Sequence, residues 1–344
     1  MTGPGFPFTT PHRLAATLLK RLWLRTAHCH RQRGWLMFTC WCVALSSSAV
    51  FSAETSPPEQ VSLETSDRVS LNMSFYPAGE APTATVILVH DIGGSPTGVQ
   101  DLARGLQQAG CAVAVPELRG HDGASERVSA ALKPQDMKMI AASGGGAIRQ
   151  QALVRGDLET VRNWLKAREA EGDVDLERLC VIGSGLGGTL ASLWTVADWS
   201  WRPNTQGPQG QDVKAVVLIS PEWAGKGVSL TTALAARAFV DRRPTLPLLE
   251  HLPLLIIAGR GDAVSDRLFK RLQAARPQSW YTIRPDGSKT QADRKDDGTP
   301  PAGIGPVVYA QINTSLRADK LATLPGSDTT PLALSLWFIK QSIE

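Results

Sequence analysis

Four short segments of the 344-residue chain hold the side chains whose types and grouping could do chemistry. His90 and Asp91 lie in VILVHDIGG (86–94), and His121 and Asp122 in PELRGHDG (116–123). Ser184 lies in VIGSGLGG (181–188), and Asp262 closes LIIAGRGD (255–262). A hydroxyl, a carboxylate and an imidazole are the parts of nucleophilic acyl transfer: a nucleophile, a base to take its proton, and an acid to orient the base. Metal binding by His90, Asp91, His121, Asp122 and Asp262 is the other chemistry such a set suggests. Their spacing matches no metal motif, so they are expected to be loop hydrogen-bonding groups, with no metal and no cofactor.

The elements that must position these groups alternate. Segments 61–64 and 69–75 alternate apolar and polar residues and predict a hairpin. The run 83–90 is continuously apolar, as for a strand buried on both faces. A helix over 99–109 ends at Gly110, and 111–116 is the next strand. Segment 136–146 reads as an irregular loop containing Ser143 and three glycines. The pattern predicts one long amphipathic helix over 152–170, a strand at 179–182 and a helix at 188–196. Buried strands follow at 213–220 and 252–258, and a helix at 265–275. Residues 231–240 are helical in pattern. The polar stretch 279–302, with its charge run 293–297, reads as an exposed insertion. Terminal strands are expected at 307–313 and 320–324, and a closing helix at 332–340. Strands alternating with helices after a hairpin imply an α/β fold with a doubly wound, mostly parallel sheet. Functional groups on such a sheet belong at the strands' carboxyl ends.

The four motifs, in this order, resemble those of the α/β-hydrolase family over residues 61–344, as a single domain without a large cap. The segment 86–94 is similar to the family's His-Gly-x-Gly-Gly loop, which supplies an oxyanion-hole amide. Asp91 stands where the family prefers Gly, and its charge opposes an oxyanion. The segment 116–123 resembles Pro-Asp-x-Arg-Gly-His-Gly, whose His is structural. In 181–188 the glycines of the nucleophile elbow Gly-x-Ser-x-Gly match Gly183 and Gly187. The nucleophile position is therefore residue 185, which is Gly. Asp262 matches the triad acid. The family's base lies after the last strand, in a Pro-Gly-Ser-x-His-Gly segment, and Thr329 takes its place in PGSDTT (325–330). The six histidines are 12, 28, 30, 90, 121 and 251, so none follows residue 251.

The resemblance implies a hydrolase scaffold without nucleophile or base. The elbow residue needs a positive φ, which Gly adopts at little cost, so Gly185 keeps the turn while removing the chemistry. The expected function is that of a pseudo-hydrolase that binds a small ligand or a protein. His90, Asp91, Ile92, Gly93 and Leu186, around the former oxyanion hole, are its candidate ligand-binding residues. The alternative is an active ester or peptide hydrolase with a displaced nucleophile, Ser184. Neighbouring side chains on a strand point to opposite faces, so Ser184 is expected to face packing instead. A third class is an anchored structural partner in a cell envelope. Trp194, Trp199, Trp201 and Trp223 read as core or lid packing in preference to an aromatic ligand surface. His251 precedes its strand, at the wrong end of the sheet for catalysis.

The net charge of +4 comes from the N-terminus. Residues 1–53 hold six Lys+Arg and no acid, which leaves 30 bases against 32 acids in the remainder. Nucleic-acid binding gains no support from that balance. Segment 35–51 is uncharged and mostly apolar, follows the basic run and precedes small residues. That is the layout of a secretory signal, or of an uncleaved anchor, and either exports the body. The expected organisation is a signal or anchor at 1–53, a spacer at 54–60 and the folded domain at 61–344, with membrane contact only through the first segment. Three of the five cysteines lie in that segment. Cys111 and Cys180 sit in apolar runs and read as small core residues.

Overall fold

In the computed structural model the chain divides into two units, Met1–Ser52 and Ala53–Glu344. The structure describes residues 56–343 except 80, 120–145, 202–204, 206–208, 241–242, 292–304 and 327–328. The predicted signal, the loop at 136–145, His121, Asp122 and the charge run 293–297 lie outside the described residues.

A ten-stranded sheet organises the second unit, in the order β1-β2-β4-β3-β5-β6-β11-β14-β12-β13. Its antiparallel start is the hairpin β1 (Glu59–Glu64) and β2 (Ser70–Tyr76), with Glu64 opposite Ser70. β2 pairs antiparallel with β4 (Cys111–Pro116). From β4 the ladder runs parallel through β3 (Ala84–Val89), β5 (Leu179–Ser184), β6 (Val213–Ile219) and β11 (Leu254–Ala258). The apolar runs are apolar because both faces are covered. On β3, Ile87 and Val89 enter one core while Val86 and Leu88 enter the other. Cys111 and Cys180 are free and buried in the second core.

Helix α1 (Gln100–Gln108) covers that second core with α7 (Ala318–Ala322) and α8 (Pro331–Ile343), through Leu102, Leu106, Leu321 and Phe338. On the other face lie α2 (Gly146–Gln151), α3 (Glu159–Glu169), α4 (Leu186–Trp199), α5 (Leu230–Ala235) and α6 (Ala263–Ala275). Between α2 and α3 the backbone forms a π-turn, Ala152–Leu158, so the predicted helix begins earlier and is not uniform. The turn packs Asp157 onto Arg119, whose Nε donates to Asp157 Oδ1 at 2.7 Å. A Cβ at Gly156 would come within 2.6 Å of the same guanidinium. Arg119 also pairs with Asp67 and holds that carboxyl down at about 2.

Three segments differ from the sequence expectation. Residues 279–302 are not simply an exposed insertion. β12 (Trp280–Ile283) and β13 (Lys289–Gln291) form an antiparallel pair, and β12 joins the sheet edge parallel to β14 (Val307–Gln311). β14 is the strand that lies against β11. Residues 318–322 are helical, not extended: five residues of mixed pattern do not fix the period, and packing of Leu321 and Ala322 does. The helix beginning at Leu230 stops at Ala235, and β9 (Arg237–Val240) turns back into β10 (Arg243–Pro247).

The candidate active site is filled from within

β3 has β4 on one side and β5 on the other, so a crevice opens beyond their carboxyl ends. The loop 90–94 and the turn at 185 meet there. Gly185 has φ +56° and ψ −128° and starts α4. The glycines on either side are set by close approach. A Cβ on Gly183 would lie 2.5 Å from Gly188 Cα, and one on Gly187 would strike the carbonyl of His90.

A side chain at 185 would begin 2.6 Å from Asp91 Oδ1, 2.7 Å from Asp91 Cγ and 3.0 Å from Ala318 Cβ. Real Cβ atoms do not approach other atoms that closely, so the space of a nucleophile is taken by a carboxylate. Asp91 Oδ1 accepts the N–H of Leu186, the first residue of α4, at 2.8 Å. A glycine at the N-cap supplies no side chain, and Asp91 caps the helix from another loop, at the positive end of its dipole. The N–H of Asp91 donates to Asp319 Oδ1 at 3.0 Å. Lys226 Nζ donates to the carbonyl of Ile92. Burial, and then the nearby Asp91 charge, raises the Glu222 carboxyl above its usual range.

Asp262 caps α6 at the end of β11. Its Oδ1 accepts Ser265 N–H at 3.1 Å and Arg317 Nη1 at 2.8 Å. Its Oδ2 accepts the hydroxyls of Ser220 at 2.6 Å and Ser265 at 2.8 Å. A carboxylate has about four lone-pair sites, so no acceptor position is left to orient an imidazole.

The structure thus brings Asp91, Gly185 and Leu186 together, with Asp262 at the neighbouring strand ends. His90 and Ile92 are buried beside them, and His90 Nδ1 lies 2.8 Å from the Asp91 carbonyl; Gly93 is exposed. Ser184 is fully buried in β5, and its hydroxyl has no hydrogen-bond partner among the described residues. The sequence match put Thr329 at the base position. The loop next to β11's carboxyl end is instead 312–317, after β14, and it places Arg317 on Asp262 and Ala318 on Gly185. Thr329 precedes α8, which packs on α1 and β6. His251 lies before β11, at the opposite end from Asp262.

Ser220, Ser265, Lys226, Arg317, Ala318 and Asp319 were not singled out by sequence. The position of Ser220 at a strand's carboxyl end was a usable signal; Arg317 and Asp319 gave none. Among the described residues, three of the five non-glycine positions with positive φ gather here: Ser220, Lys226 and Ala318. Trp194, Trp199, Trp201 and Trp223 each have separate partners among the described residues. Trp194 is fully buried, Trp199 Nε1 donates to the Val213 carbonyl, and Arg155 and Arg267 stack on Trp201 and Trp223 respectively.

Residues 86–331 match the family model described as the alpha/beta hydrolase family. The fold is similar to that of the Pyrococcus furiosus esterase Pf2001, with TM-score 0.50 and 14% identity, covering 84% of this chain and 92% of that one. It is similar to EstE1, a thermostable carboxylesterase cloned from a metagenomic library, with TM-score 0.50 and 16% identity over 84% and 90%. A dienelactone hydrolase from Anabaena variabilis gives TM-score 0.49 and 15% identity over 83% and 99%. No curated protein matches the chain at a significant level.

Proposed function

The chain belongs to the alpha/beta hydrolase family, and we propose that it is a non-catalytic member that acts by binding a small molecule or a protein partner outside the cytoplasm. One observation carries this reading: the Asp91 carboxylate lies where a side chain at 185 would begin. Acyl transfer needs an activated nucleophile, a base and a vacant oxyanion site. Here residue 185 has no side chain, the amide of Leu186 is spent on an anion, and Asp262 has four donors already. The basic, then apolar, then small-residue order of 1–53 supports export, either cleaved or anchored.

An esterase with a displaced serine is the competing reading, and the esterases that share this fold are its support. Ser184 is the hydroxyl the sequence offers it, and Ser220 and Ser265 are two more that already donate to a carboxylate. Labelling of the full-length protein with a fluorophosphonate decides between the two. In that reaction the serine oxygen displaces fluoride from phosphorus and the hydroxyl proton passes to a base. No adduct is expected in a protein that shows a folded circular dichroism spectrum. A saturable adduct on Ser184, Ser220 or any other serine would overturn the binding reading and name the nucleophile.

A further inference from the structure

We infer that a polar cleft over the antiparallel corner of the sheet, formed by β1, β2, β4 and the segment 95–100, binds a neutral polyhydroxylated ligand, a saccharide. Gln60 on β1, Ser74 on β2 and Val115 on β4 are cross-strand partners in one row, so their side chains share a face. Residues two positions away share it too, which adds Asn72, Tyr76 and Glu117. Tyr76 and Val115 are buried in the core under α1, whereas Gln60 and Asn72 are exposed and Ser74 and Glu117 half-buried. The face thus turns from apolar to polar at the edge of the helical cover. The turn Pro96–Val99 stands as the opposite wall, where the hydroxyls of Ser95 and Thr97 are 2.6 Å apart. The cleft between holds about 400 Å³, within the range of about 300–1,000 Å³ for small-molecule sites.

The lining chooses the ligand class. Asn72 Nδ2 donates to Glu117 Oε2 at 3.0 Å, and the Gln60 amide meets Ser74 Oγ at 3.1 Å. An amide has two N–H donors and a carbonyl with two lone pairs, so each keeps capacity for a ligand while its position is fixed. Hydroxyls that both donate and accept match such groups. Among the described residues no Lys or Arg lines the cleft, and its one charge is the Glu117 carboxylate, so an anionic ligand finds no counter-charge. Val115 and Pro96 supply apolar surface for the C–H face of a sugar ring. The site shares no residue with the elbow. A labelled serine would refute the binding reading and leave this cleft untouched, and failure of the cleft would leave the elbow reading standing.

Heteronuclear NMR of the full-length protein tests it, by titration with maltose and, separately, with N,N′-diacetylchitobiose. Saturable shifts centred on the amides of Ser74, Ser95, Thr97 and Val115 are expected with at least one of the two, and none with inorganic phosphate. Gln60→Ala combined with Asn72→Ala removes two exposed amides and should weaken that disaccharide about tenfold, as the loss of one or two hydrogen bonds implies. No saturable shift at these amides with either disaccharide would overturn the inference. So would a saturable shift with phosphate, or undiminished binding in the double variant. The parent titrations decide the matter by themselves if the double variant fails to fold.

Discussion

Adding one methyl group at the elbow, Gly185→Ala, tests the interlock by equilibrium. Two costs are expected in the parent. At φ +56° an L residue is disfavoured by about 1–2 kcal/mol. The new Cβ would sit 2.6 Å from Asp91 Oδ1 and 3.0 Å from Ala318 Cβ, and forcing a group into packed space costs about 1–3 kcal/mol. Together these come to about 2–5 kcal/mol, a large part of the ~5–15 kcal/mol that holds a domain folded. In an Asp91→Gly background the carboxylate contact is gone, and mainly the backbone strain remains. The Gly185→Ala cost should therefore fall to about 1–2 kcal/mol. The difference is a coupling energy of about 1–3 kcal/mol, within the range found for residues in contact. Urea denaturation followed by the fluorescence of the ten tryptophans measures all four corners of the cycle. Equal costs in both backgrounds would show that Asp91 does not fill the elbow.

Other outcomes follow from the same contacts. Gly185→Ser, alone or with Asp91→Gly, should stay unreactive to fluorophosphonate, because Asp262 has four donors and no histidine follows residue 251; a labelled Ser at 185 would refute the account of Asp262. Burial raises Asp198 to about 7 although the Val213 amide donates to it. Its folded value lies above the unfolded one, so its contribution is complete below pH ~4, declines as pH rises and is gone above ~7. Asp198→Asn should therefore gain stability over the parent from pH 5 to pH 8, by about 2.5 kcal/mol, and parallel pH curves would sink the assignment. Arg119→Met strips the partner from fully buried Asp157 and should cost about 3–5 kcal/mol in urea titrations. Arg317→Ala should cost about 1–2 kcal/mol, less because that guanidinium is 45% exposed.

The parallel core of the fold was legible because a strand covered on both faces must be apolar throughout, as in 83–90, 213–220 and 252–258. The elbow was legible because close packing leaves glycine no substitute at 183 and 187. Edge strands lack that constraint. β13 (KTQ) is exposed along its whole length and carries no apolar signature. The π-turn at 152–158 has no signal in the helical period. Within the site, the sequence marked Asp91 as an intruder and residue 185 as empty. That one fills the other is a distance across 95 positions, which spacing does not encode. A Pro-Gly-Ser match along the chain points to Thr329 for the base position, whereas the loop beside Asp262 is fixed by which strand neighbours β11.

That strand has a consequence for synthesis. β14 is made after β12 and β13, yet it lies between β11 and β12. A nascent chain ending near residue 300 can pair β12 with β13 but has nothing to join them to the rest of the sheet. The hairpin of β12 and β13, residues 280–291, joins the sheet only once β14 has been made. The exposed, polar Lys289, Thr290 and Gln291 make β13 an edge that invites no further strand while the hairpin is unpaired with β14.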